Sequence, residues 1–202
     1  MRILTFAVSS LALAFWLAAA APGAEEKMAE PQYSADGQML HPSGYREWIF
    51  VGSSLGMGYT EGAPKGPATF HNIYLQPQAY RSYAATGKFP DKTMLVMEVL
   101  TPGTNASINK QGQFEDQFIG IEVAVKDESR WAEKWAYINF IGRNRVPLAQ
   151  SAPFKKEQCW NCHNEHGAAD NVFVQFYPVL REARRQAAGV AGDAAGRPAG
   201  AR

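Results

Sequence analysis

"KTMLVMEVL", residues 92–100, decides the fold. With a repeat of two, Leu95, Met97 and Val99 fall on one face of a strand, and Met94, Val96 and Glu98 on the other. Working outward toward the N-terminus, Pro77 opens a short helix, "PQAYRSYAATG", that stops at Gly87; proline near the start and glycine past the end is the expected asymmetry. Before it stands a strand, "TFHNIYL" (69–75), and before that "WIFV" (48–51), which ends in the glycine-rich run 52–67. Toward the C-terminus a Gly/Asn-rich turn region (101–113) leads to "FIGIEVAVK" (118–126). Here Ile121, Val123 and Val125 alternate with Glu122, Ala124 and Lys126. Asp127 or Ser129 is placed to cap a brief helix through Glu133. "WAYINFIG" (135–142) reads as the last strand, and an apolar-periodic helix is expected from about Asn171 through Phe173, Phe176 and Leu180. Strand, strand, helix and three strands make an α+β chain: a predominantly antiparallel β-sheet with helices packed to one side.

The ends read differently. Met1-Arg2, an apolar run from Ile3 to about Ala21 and the small residues "LAAAAPGA" (17–24) have the form of a signal peptide over residues 1–24, with cleavage expected near Ala21 or Glu25. An uncleaved membrane anchor is the alternative. The expectation is export to a periplasm or an equivalent oxidising space. Residues 31–183 are of a size for one compact domain. Residues 186–202 are rich in Ala and Gly without an aromatic residue, and are expected to be disordered. Charge is balanced, 20 basic against 19 acidic residues, which argues against a nucleic-acid partner.

Both cysteines of the chain lie in "CWNCH", residues 159–163. In an oxidising space the pair is able to close as a disulfide. A thioredoxin-like dithiol needs a βαβ setting, which the element order lacks. Zinc needs four ligands, and Cys159, Cys162, His163 and His166 supply them only in a cramped cluster. The remaining reading is c-type haem attachment. Two thiols at this spacing add across the two vinyl groups of one haem, and His163 then lies under the iron as its proximal ligand. Export, the lack of other cysteines and the adjacent histidine all agree with one covalently attached haem c.

Long blocks of the chain resemble the cytochrome P-460 family, which includes the gas-binding cytochromes c′-beta: "GYREWIFVGSSLG" (44–56), "NIYLQPQAYRSYAATGKFPDKTMLVMEVL" (72–100), "GIEVAVKD" (120–127), "WAYINF" (135–140) and "CWNCHNEHGAADNVFVQFYPVL" (159–180). The resemblance implies a homodimer of mostly β protomers, each with one covalent haem whose iron is five-coordinate and open on its distal side. Hydroxylamine-oxidising members carry a lysine bonded to the haem ring in a stretch resembling "LVKEL". Here that stretch is "LVMEV" (95–99), with Met97 at the lysine's place. This departure favours the cytochrome c′-beta type, which binds small gases such as NO and CO in an apolar distal pocket. Two other functions remain: oxidation of hydroxylamine or NO, and electron transfer to a redox partner protein with Met97 as sixth ligand. Met97 otherwise reads as core filler. Phe50 and Phe70 are candidates for an aromatic cap over the iron, or plain core aromatics. His71 is a candidate distal base, or a surface histidine; alternation sets it opposite Phe70. His41 reads as structural. His166, Arg143 and Arg145 are candidate propionate partners, with a solvated surface as the other reading.

Overall fold

Met94–Gly103 (β4) is the middle strand of a five-stranded antiparallel sheet. Its neighbours follow chain order: β2 (Ile49–Leu55), β3 (Phe70–Leu75), β4, β5 (Phe114–Lys126) and β6 (Trp135–Asn139). Consecutive strands lying side by side need no crossover. Helix α1 (Pro77–Thr86) fills the β3–β4 connection. It starts at proline and ends where Gly87, at φ 70°, returns its N–H to the Tyr83 carbonyl at 2.7 Å. A two-stranded sheet pairs β1 (Met39–Leu40) with β7 (Gln150–Ser151). This computed structural model describes residues 27–59, 66–104, 107–108 and 110–195. The expected leader (1–24) lies outside them, and no helix among the described residues is long and apolar enough to cross a membrane.

Both faces of β4 are covered, as its continuous apolar run requires. Leu95 packs with Ile73, Leu75, Trp135 and Tyr137 beneath α1 and the C-terminal helix α3 (Pro178–Ala195), whose Leu180 is fully buried. Met94 and Val96 pack on the other face with Ile121, Val123, Val125, Ile138 and Phe140, under Met39 and Tyr45. Glu98 is buried on that second face because Tyr45 Oη and Arg46 Nε each donate to its carboxylate at 2.7 Å. The fold is α+β with its helices against one face of the sheet.

Several element bounds depart from the sequence reading. β2 continues past Val51 to Leu55, and β4 and β5 extend to Gly103 and back to Phe114. The register between them shifts at Val99/Leu100, opposite Gly120 and Phe118. Gly120 sits at φ 155°, where an added Cβ would stand 2.7 Å from Ile141. The brief helix expected at 127–133 is a series of turns. The Asp127 carboxylate accepts from the Ser129 N–H at 3.2 Å and the Ser129 hydroxyl at 2.7 Å, a local pairing that competes with helical bonding. No helix starts at Asn171, because Asp170 (φ 46°) and Asn171 (φ 61°) are left-handed. A 3₁₀ turn spans Val174–Phe176, and α3 begins at Pro178. The backbone of residues 186–195, expected to be disordered, continues α3; its alanines are the strongest helix formers and offset the two glycines. Residues 196–202 lie outside the described residues.

Candidate functional site

A cavity of about 560 Å³, its mouth included, lies between the helix-covered face of the sheet and helix α2 (Trp160–His166). Cys159 stands at the start of α2, and the His163 N–H bonds its carbonyl at 3.1 Å. Both Cys159 and His163 line the cavity, and Met97 lines the opposite wall on β4. Cys162, half-buried, precedes His163 on the helix.

The His163 ring is held on three sides. Its centroid is 4.0 Å from that of Tyr137 and 4.2 Å from that of Phe173. Its Nδ1 lies 3.0 Å from the Asn171 carbonyl oxygen, which selects the tautomer with the proton on Nδ1 and leaves Nε2 with a free lone pair. Burial pushes the imidazole below its usual range, only partly offset by the Asn171 bond, so the ring is neutral at pH 7. A neutral imidazole, oriented through its other nitrogen and beside a cavity, suits a metal ligand.

Cys159 and Cys162 are free thiols, not a disulfide. Burial raises Cys159, with Glu122 and Cys162 adding to it. Among the described residues no three His, Cys, Asp or Glu side chains converge to hold a metal ion. His166 is 60 % exposed, with Glu165 as its ionic neighbour at 3.8 Å. The residues fit a c-type haem better. The cavity is apolar with aromatic walls, two thiols and a histidine stand on one short helix, and Asn171 Nδ2 is buried in the wall without a hydrogen-bond partner among the described residues. Such a donor suits a ligand bearing acceptor oxygens, as haem does in its propionates.

The structure separates the candidates read from sequence. Met97 is in the cavity. Phe50 and Phe70 are not: Phe50 is 47 % exposed and packs edge-on against Tyr74 at 5.7 Å on the far face of the sheet. Phe70 pairs in register with Leu55 and Leu100, so it too points away from Ile73 and the cavity. Tyr137, Phe154, Phe173 and Tyr177 supply the aromatic lining instead. His71 shares the face of Ile73 but lies outside the cavity, where its Nε2 is 3.0 Å from the Thr69 hydroxyl and burial lowers its pKa. His41 packs edge-on against Phe140 at 5.2 Å, remote from the site. Arg143 and Arg145 are on the surface, with Arg145 donating to Gln117.

Besides these aromatic residues and Asn171, Glu122 escaped the sequence reading. In register across from Met97, it projects into the cavity wall, where burial raises its carboxyl above the usual range. The signal was present in its alternation with Ile121 and Val123, but that pattern reads equally as a solvent face.

A meander sheet that carries a C-x-x-C-H helix across an aromatic cavity defines a class of α+β protein with a built prosthetic-group site. Residues 42–174 match the family model described as Cytochrome P460, and the chain belongs to that family of haem proteins. No curated protein matches the chain.

Proposed function

We propose that this is an exported c-type haem protein of the cytochrome c′-beta kind, binding NO and CO. Cys159 and Cys162 hold the haem through thioethers and His163 ligates its iron. The observation that carries the reading is the His163 arrangement: Nδ1 is committed to the Asn171 carbonyl, and Nε2 is left for a metal beside the cavity. When bound, the haem would supply an iron able to take up a small gas. Met97 contributes an apolar thioether at the place of the family's ring-bonded lysine, so the wall offers no amine for that bond. Leu95, Ala124 and Ile73 keep the cavity apolar, which suits an uncharged diatomic ligand. The resemblance also supports a homodimer, and the signal-peptide form of residues 1–24 supports a periplasmic location.

Glu122 favours a second reading, oxidation of hydroxylamine or NO. A cavity carboxyl whose pKa burial raises is placed to accept and release protons from a bound substrate. An electron carrier would instead draw the Met97 sulfur onto the iron. The ferrous optical spectrum and hydroxylamine turnover together separate the three. A gas binder is five-coordinate and high-spin, with an ordinary c-type spectrum that changes on adding CO, and it turns over hydroxylamine slowly or not at all. Robust hydroxylamine turnover overturns the proposal in favour of the enzyme. A low-spin ferrous spectrum that becomes high-spin in Met97→Ala overturns it in favour of the electron carrier. His163→Gly abolishes the parent iron spectrum if the axial assignment is right.

A further inference from the structure

The residues behind His163 form a second arrangement that the ligand set does not account for. Asn171, whose carbonyl meets His163, is in a tight turn, Ala169–Val172. The turn is closed by the Val172 N–H on the Ala169 carbonyl at 2.8 Å. Both central residues are left-handed, Asp170 at φ 46° and Asn171 at φ 61°. That is the type I′ geometry, which Asp and Asn tolerate better than other non-glycine residues but leave unless their surroundings hold them.

The surroundings hold Asp170 by both carboxylate oxygens. Lys126 Nζ, at the end of β5, donates to Oδ2 at 2.8 Å, and Trp135 Nε1, at the start of β6, donates to Oδ1 at 3.1 Å. Lys126 is itself fixed, with a side chain only 9 % exposed and a second bond to the Phe89 carbonyl at 2.9 Å. Gly167, at the end of α2, lies so close to the turn that an added Cβ would be 2.9 Å from backbone atoms of Asn171 and Val172. The turn is therefore clamped between two strands and the helix that bears His163.

We propose that Asp170 is a positioning residue for His163: clamped by Lys126 and Trp135, it holds the turn so that the Asn171 carbonyl receives the His163 Nδ1 proton, and thereby sets how strongly His163 binds iron. This rests on the reading of His163 as the axial ligand. A histidine that donates to a carbonyl is a more basic, stronger ligand, and the strength follows the quality of that bond. Tyr137 acts on the same acceptor in the opposite sense. Its hydroxyl donates to the Asn171 carbonyl at 2.9 Å and so shares the oxygen with His163. Loss of Asp170 weakens the His163 bond, whereas loss of the Tyr137 hydroxyl leaves the carbonyl to His163 alone.

The test is resonance Raman spectroscopy and redox titration of the haem-loaded protein and its variants. Asp170→Asn is expected to move the ferrous iron–histidine stretch to lower frequency and raise the midpoint potential. Tyr137→Phe, which keeps the ring against His163, is expected to move both the other way. Asp170→Asn protein with the parent band and potential overturns the proposal, even if it melts earlier, because a purely structural clamp would change only the melt. If Asp170→Asn does not accumulate, Trp135→Phe removes one of the two donors and keeps an aromatic ring. A smaller shift of the same sign supports the proposal, and an unmoved band overturns it. A parent protein with no iron–histidine band would instead sink the assignment of His163 itself.

Discussion

Met97→Lys tests the geometry of the cavity wall. Met97 on β4 and Glu122 on β5 are register partners, and both line the cavity. Side chains directly opposite in an antiparallel pair have Cβ atoms roughly 4.5–5.5 Å apart, so a lysine at 97 brings its ammonium within reach of the Glu122 carboxylate. At about 4 Å and an effective dielectric near 20 the attraction is ~4 kcal/mol, against a desolvation cost of several kcal/mol per ion. The two nearly cancel, and Met97→Lys alone should cost about 1–2 kcal/mol. Glu122→Gln alone should cost little, about 1 kcal/mol or less, since burial already disfavours its charge. Together they leave a buried ammonium without its partner, which costs about 3–5 kcal/mol. The coupling is then roughly 2 kcal/mol. Thermal unfolding of the four haem-loaded proteins at pH 7 measures it. At about 2–4 °C per kcal/mol for a chain of this size, the double variant should melt roughly 10 °C below the parent. A coupling below about 0.5 kcal/mol would mean that positions 97 and 122 do not lie side by side on the cavity wall, and would refute the reasoning.

Asp127→Asn should destabilise the fold by about 3 kcal/mol at pH 7, because Asp127 is buried and accepts from Lys92, Ser129 and Tyr33. Burial alone would raise this carboxyl, but the three partners outweigh it and hold it below the ordinary range. Its contribution is therefore full above the unfolded value of about 3.9 and is lost as pH falls through the lower folded value, so the melting gap to the variant should close in acid. A gap that stays constant from pH 7 to acid contradicts this. Gly167→Ala would place a Cβ 2.5 Å from the His163 carbonyl oxygen, and neighbouring backbone has little room to yield. We expect a loss of about 1–3 kcal/mol and a displaced haem absorption maximum; an unchanged melt and spectrum would contradict the close packing of helix and turn.

Much of the scaffold was legible in local chemistry. The alternation of residues 92–100 placed Leu95 and Met97 on one face and Met94, Val96 and Glu98 on the other, as found, because a strand allows no other arrangement of successive side chains. Pro77 and Gly87 marked α1 through their own backbone preferences. The C-x-x-C-H motif was readable because its spacing is a matter of covalent reach. What alternation does not state is which face meets the cavity. Phe50 and Phe70 fell on the wrong side for that reason. Glu122 escaped for the converse one: its face looks polar in sequence and is enclosed by α2 and the turn after it, which come some forty residues later. The apolar spacing of 171–180 suggested one helix. The left-handed Asp170–Asn171 pair overrode it, held by Lys126 and Trp135 from strands far away in sequence.

In the proposed reading Cys159 and Cys162 carry the haem covalently and His163 ligates its iron. The intact mass of the protein after acid denaturation tests it most directly. The account predicts the polypeptide plus one haem, with Cys159→Ala/Cys162→Ala retaining none. A mass equal to the polypeptide alone, or to the polypeptide less the two hydrogens of a disulfide, would contradict it.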